Sequence, residues 1–376
     1  MLSKVIANLP ILYKTSLELC EGYSVLYRAL LLSGLLLCAP VFAAEVRGLY
    51  ETEVIANSPS NEDKNAAFKD ALTVVLGRIL AGDNVLQDRA VQATLANAPR
   101  FVKQHQYSLT EANLAADNEA RNMRVLFDEQ ALLEALKTSK LKVWGDIRPE
   151  TLLWLVVEEN GRRSFYKADS MPELSVALSK GAKQKGLPLL YPLSDLDEQR
   201  QLSVNDVLSA YPQNLLNVSE RYGVVSILAG RVVKMQQCWK GDWAFYFDDR
   251  VEQWSKSCGT LNEVVATGLS GVYTQLAGYY AAKPDGVESA GVVVLKIAGI
   301  NGANDISRVT QYLQSLSMVK SVSWVDSQAG INRYQVSYQG NRHAFEESVG
   351  IGRVLNPQDV DTTGLSELRY RLLNSR

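Results

Sequence analysis

The spacing of apolar residues changes along this chain, and each change marks an element. In VRGLYETEVIANSPS (46–60), Val46, Tyr50, Thr52, Val54 and Ala56 share one side of a period-2 pattern, which predicts a strand ending at Asn57-Ser58-Pro59. Ser60 then precedes a helix with Glu62 and Asp63 in its first turn, where acids complement the dipole. Phe68, Ala71, Leu72, Val75 and Ile79 recur at i, i+3, i+4 along it, and Gly82 stops it. A second helix fits 84–96. Asn113–Glu119 reads as a polar loop, Met123–Phe127 as a strand and Glu129–Thr138 as a third helix. Residues 45–145 are therefore expected to form a β-α-α-β-α module.

Arg148-Pro149 marks a boundary, and a central module is expected over 146–283. TLLWLVVEE (151–159) is a near-continuous apolar run, the mark of a strand buried on both faces. Glu173–Lys185 predicts a helix and LLYPL (189–193) a second strand; Val204–Tyr222 predicts another helix, bent or broken at Pro212. Gly223–Lys234, Trp243–Phe247 and Val251–Trp254 read as a meander with turns at WKGDW and DDR, followed by a long helix over Leu261–Ala282. Lys283-Pro284-Asp285-Gly286 is a linker signal. The last unit, 290–376, alternates strands at 292–300, 319–326, 331–340 and 368–373 with helices at Asp305–Leu316 and Arg342–Val349, the β-α-β-β-α-β order of ferredoxin-like folds. The fold class expected is α/β and α+β in three small modules, the middle one a mixed sheet with helices and an antiparallel meander.

The N-terminal 44 residues stand apart. RALLLSGLLLCAPVFAAE (28–45) has a basic start, an apolar run, Pro40 and then small residues, the layout of a secretory signal peptide. A cut after Ala43 leaves Val41 and Ala43 at the −3 and −1 positions. Two alternatives stay open. A membrane anchor through 28–44 would want about 20 apolar residues, and a lipoprotein cut before Cys38 would want a small residue where Leu37 stands. Residues 1–24 read as an extension ahead of a start at Val25. The expectation is an exported, periplasmic protein with no membrane span after cleavage.

Charge and cysteines narrow the picture. Acidic residues number 41 and basic residues 39, so the chain lacks the basic footprint of nucleic-acid binders. Cys238 and Cys258 lie beyond the leader; in an exported chain they are candidates for a disulfide, with two buried thiols as the alternative.

Catalytic equipment is sparse. There are only two histidines, His105 and His343, and no nucleophile elbow, P-loop or HExxH, so no catalytic residue, cofactor or metal is assigned. Gly299-Ile300-Asn301-Gly302 holds the position of a phosphate turn but lacks the fingerprint's remaining residues. Asp195 and Asp197, with Glu198, follow a strand end, where open α/β sheets place ligands; the same residues suit a capped helix start. Trp239 and Trp243 flank the expected Lys240–Asp242 turn and are candidates for a contact with a glycan or a protein partner, against a packed sheet face as the alternative.

The blocks LYETEVIANSPSNEDKNAAFKDALTVVLGRILAG (49–82), RPETLLWLVVE (148–158), KGLPLLYPLSDLD (185–197), RYGVVSILAGRV (221–232) and CWKGDWAFYF (238–247), taken in order, resemble the family catalogued as domain of unknown function 2066. That resemblance implies an exported protein of the Gram-negative envelope and supplies no activity. The function expected is a non-enzymatic interaction or assembly factor with an envelope protein as partner; the alternative is a periplasmic binder of small ligands or glycan.

Overall fold

A computed structural model describes residues 44–82, 84–108, 121–137, 141–282, 290–352, 354–358 and 368–373. Most of the leader segment, the Asn113–Glu119 loop and the Lys283–Gly286 linker lie outside the described residues. No helix among the described residues is long and apolar enough to cross a membrane.

The first module builds on helix α1 (Asn61–Ile79). The Ser60 hydroxyl accepts from the Asp63 amide at 3.1 Å, and the apolar stripe is buried against the sheet from Ala67 to Ile79. That sheet orders β1 (Glu51–Ala56), β3 (Arg121–Phe127) and β2 (Val102–Ser108), all antiparallel. Helices α2 (Arg89–Ala96) and α3 (Glu129–Leu136) complete it. Strand β2 is an addition to the expected β-α-α-β-α order. Its sequence VKQHQYS is polar because it lies at an edge and is largely exposed, so it carries no apolar alternation to read. Leu72, Val75, Met123 and Val125 sit in a core belonging to this module alone.

The central sheet is mixed. Strand β4 (Thr151–Glu159) runs parallel to β6 (Ser226–Lys234) on one side and to the short Leu189–Leu190 pair on the other; β7 (Trp239–Phe247) and β8 (Arg250–Gly259) continue antiparallel, and β5 (Arg162–Phe165) returns along β4. Helices α4 (Pro172–Lys185) and α7 (Leu261–Tyr280) cover one face. Short helices α5 (Leu196–Gln201) and α6 (Gln213–Ser219) belong to the other, where Trp154 donates to the Ser219 hydroxyl at 2.9 Å. Burial on both faces is why β4 shows no alternation. The helix expected over Val204–Tyr222 is limited to α6 and a following turn, because Pro212 cannot sit inside a helix.

The meander's first turn lies earlier than the pattern suggests. It is at 235–238, closed by Met235 N–H to the Cys238 carbonyl at 2.9 Å, and Lys240-Gly241-Asp242 is strand. Gly241 is there for close approach, since a Cβ would meet Val264 and Trp243, and Asp242 pairs with Arg231 across the sheet at 2.9 Å.

The last sheet orders β10 (Val319–Gln328), β11 (Ile331–Gln339), β9 (Ala290–Ala298), β13 (Leu368–Leu372) and β12 (Leu355–Pro357). Helices α8 (Ala303–Ser315) and α9 (Arg342–Ile351) pack on it. The ferredoxin-like order is present with one strand added. Strand β13 enters parallel to β9 and pushes β12 to the edge. Central and last modules share one continuous core, in which Trp144 stacks on Tyr280 beside Leu316 and Met318.

Candidate functional site

The residues singled out from sequence separate into structural roles. Asp195 caps α5, accepting from the Asp197 amide at 3.1 Å and the Glu198 amide at 2.9 Å. Its other carboxylate oxygen meets Arg221 at 2.8 Å. These bonds, the backbone one to Glu198 foremost, hold the Asp195 carboxyl below the usual carboxylate range. Asp197 points into solvent and meets Arg200 at 3.8 Å. Glu198 is buried, bonded to the Tyr222 hydroxyl, and accepts from the Ser194 amide at 2.7 Å. The acceptors of Asp195 and Glu198 thus already have donors from their own fold. Among the described residues no group of three or more His, Cys, Asp or Glu is placed to hold a metal ion. Gly299–Gly302 is likewise a helix entry, closed by the Asn301 amide on Asp305 at 2.9 Å.

The aromatic pair divides. Trp239 is half-buried at the start of β7, whereas Trp243 is 2% exposed at its centre. The indole of Trp243 fills a slot between Gly230 on β6 and Gly268 on α7, where a Cβ would come within 3 Å of the ring. The contact role expected of Trp243 is therefore corrected to packing, because the turn that would have exposed it is not there. Cys238 and Cys258 form a disulfide, with their Cα atoms 5.5 Å apart. It joins neighbouring strands, since Trp239 pairs with Gly259.

What the sequence did not single out is a cleft of about 680 Å³ between the first module and α4. Arg47, Arg124 and Lys183 line it, with Glu51 and Glu53 on β1. A second cavity of about 500 Å³ continues it along α4, and the two share Thr52, Glu53, Arg78 and Lys183. Arg124 is ion-paired with Glu51, which leaves Arg47, Lys180 and Lys183 as the outer cations.

Buried arginines hold the walls in place. Arg78 Nη1 donates to the carbonyls of Gly48, Leu49 and Glu51 at 2.9–3.0 Å, while its buried Nε has no partner. Arg148, wholly buried, donates to the carbonyls of Gly145, Lys185, Gly186, Arg78 and Trp144 at 2.8–3.0 Å, and its guanidinium lies 4.1 Å over the Trp144 ring. Burial lowers the pKa of both, that of Arg148 to about 10. Each thus ties strand, helix end and linker together through backbone carbonyls. Arg78 was legible as an anomaly, a cation on the apolar stripe of α1 beside Val75 and Ile79.

Residues 43–145 match the family model described as Domain of unknown function (DUF8605), which covers the first module and its share of the cleft. This overturns the family expected from the five blocks: the match is to that domain and not to domain of unknown function 2066. The blocks had carried little identity, because LLWLVVE and GVVSILAGRV are buried parallel strands whose apolar runs any such sheet demands. No curated protein matches the chain.

Proposed function

We propose that this chain is an exported, periplasmic envelope protein that acts as a non-enzymatic interaction or assembly factor, engaging a protein partner in the cleft between β1 and α4. The observation that carries the reading is the cleft itself: two continuous cavities, open to solvent, with cations at the mouth and an arginine-braced floor. Export is supported by the leader pattern of 28–45, and by a disulfide, which persists in oxidising compartments. The family match begins at 43, one residue before the Ala44 that a cut after Ala43 would leave first. The alternative of glycan binding loses Trp243 to the core and retains only Trp239.

Two measurements test this. N-terminal sequencing of fractionated protein should give Ala44 or Glu45 as the first residue; an intact 28–44 segment in the membrane pellet would sink export with cleavage. A photo-crosslinking residue at Lys183, in cells making the full chain, should capture an envelope protein that the same residue at Arg369 does not. Equal capture at both positions, or none, removes the cleft from the proposal.

A further inference from the structure

We infer that the open edge of β1 takes up an extended acidic segment of a partner polypeptide as a fourth strand; this deepens the cleft reading above and rests on it. Among the described residues strand β1 pairs only with β3. Phe127 N–H donates to the Tyr50 carbonyl at 2.9 Å, and ladder bonds in an antiparallel pair alternate. Thr52 and Val54 therefore direct their backbone groups at β3, while Glu51, Glu53 and Ile55 direct theirs away from it; the Glu51 N–H is taken by the Gly48 carbonyl at 3.1 Å, and Glu53 lines the cleft. The Glu51 carbonyl confirms the direction, because Arg78 on the cleft side takes it at 2.9 Å. Among the described residues no turn or loop hydrogen bond occupies the backbone of Glu53 or Ile55.

Proteins ordinarily blunt such edges with charged side chains, lysine above all, with proline, bulges or a covering element. The opposite edge of the same sheet obeys: β2 carries Lys103 and a bulge between Val102 and Gln104. Strand β1, ETEVIA, has neither lysine nor proline and pairs without a bulge. The edge that lines the cleft is blunted instead by the charges of Glu51 and Glu53 and by the bonds to the Glu51 backbone, and the Glu53 backbone has no such turn or loop bond among the described residues. Strand addition supplies affinity through main-chain bonds and selectivity through alternate side chains. Across the gap α4 presents Lys180 and Lys183, with Arg47 at the mouth and the exposed Val176 beside them. An occupant with acidic residues at alternate positions meets the cations of the α4 side, and small apolar residues between them meet Val176; on the β1 side Glu51 is already ion-paired with Arg124.

The test uses the disulfide-intact mature chain and a labelled ten-residue peptide of alternating valine and aspartate, followed by fluorescence anisotropy. Saturable binding is expected. Glu53→Pro, which removes an outward N–H and is tolerated at an edge, should weaken it at least tenfold, as should the double change Lys180→Glu, Lys183→Glu. A valine–lysine peptide should not bind. If Glu53→Pro fails to fold, the wild-type chain with a peptide N-methylated at every second residue gives the same decision: unchanged affinity overturns strand addition. No binding of the aspartate peptide overturns it too, as does a dimer in wild type that Glu53→Pro abolishes, since the edge would then serve a second copy. A Lys183 crosslink to a partner in a chain that ignores these peptides would sink this inference and leave the cleft reading standing.

Discussion

Arg148 Nη2 donates to the carbonyl oxygen of Arg78 at 2.9 Å, so one buried guanidinium fixes the helix end from which another reaches across to β1. Neither arginine has an ion pair within 4 Å among the described residues; both are held by carbonyl oxygens and, for Arg148, by the face of Trp144. Replacing Arg148 by methionine strands five carbonyls. A buried acceptor left unsatisfied costs about 1–3 kcal/mol, so the change should destabilise strongly, and lysine should not rescue it, because a single ammonium lacks the planar fork. Urea unfolding of both variants checks this, and a midpoint within error of wild type would refute it.

The same arginine should leave stability flat across neutral pH. Its folded pKa, about 10, lies below the unfolded value, so both states are protonated in that range. Between about pH 10 and the ordinary arginine value near 12.5 the unfolded chain holds more protons, and this group then raises stability as pH rises. Comparing the pH slopes of wild type and Arg148→Met above pH 10 isolates that contribution; a slope from this residue near pH 7 would contradict the assignment.

Gly186 closes α4 in the left-handed region at φ +62°, and a Cβ there would lie 2.7 Å from Leu49, 2.8 Å from Arg148 and 2.9 Å from Arg78. Gly161 has a similar φ of +74° with open space around it. Backbone strain is common to both, at about 1 kcal/mol, while crowding adds about 1–3 kcal/mol at Gly186 alone. Gly186→Ala should therefore unfold at clearly lower denaturant than Gly161→Ala. Equal losses would show that the arginine hub yields to a methyl group.

Gly268→Ala sets two effects against each other. Helix propensity favours alanine by about 1 kcal/mol, but its Cβ would stand 2.6 Å from the Trp243 ring, deep in the core. Overpacking there costs about 1–3 kcal/mol, so the change should destabilise. Trp243→Ala should cost about 3–5 kcal/mol, and Trp239→Ala clearly less because that ring is half-buried. Thermal melts of the three variants decide the order.

Reduction of the Cys238–Cys258 bond opens a loop of 20 residues in sequence separation. The chain-entropy account puts its contribution at about 3 kcal/mol. Denatured, unreduced protein should show no free thiol from this pair, and dithiothreitol should lower the unfolding midpoint. Two titratable thiols per mature chain would mean that the pair is merely adjacent.

How much of this was legible follows from the range of the forces involved. Helix α1 was readable because its cap, first-turn acids and apolar stripe are local, and β4 because burial on both faces demands an unbroken apolar run. Alternating strands and helices likewise determined the mixed α/β class. Polar β2 was silent, since an exposed edge imposes no pattern, and Gly241 misled, since a glycine serves a turn or a close approach equally well. The cleft was out of reach altogether. It exists only because Arg78, Arg148 and Gly186, separated by 70 and 38 positions, converge on one another through backbone carbonyls. Sequence spacing records neighbours along the chain; which carbonyls a buried guanidinium will meet, and which strand edge is left uncovered, is decided by how the modules pack.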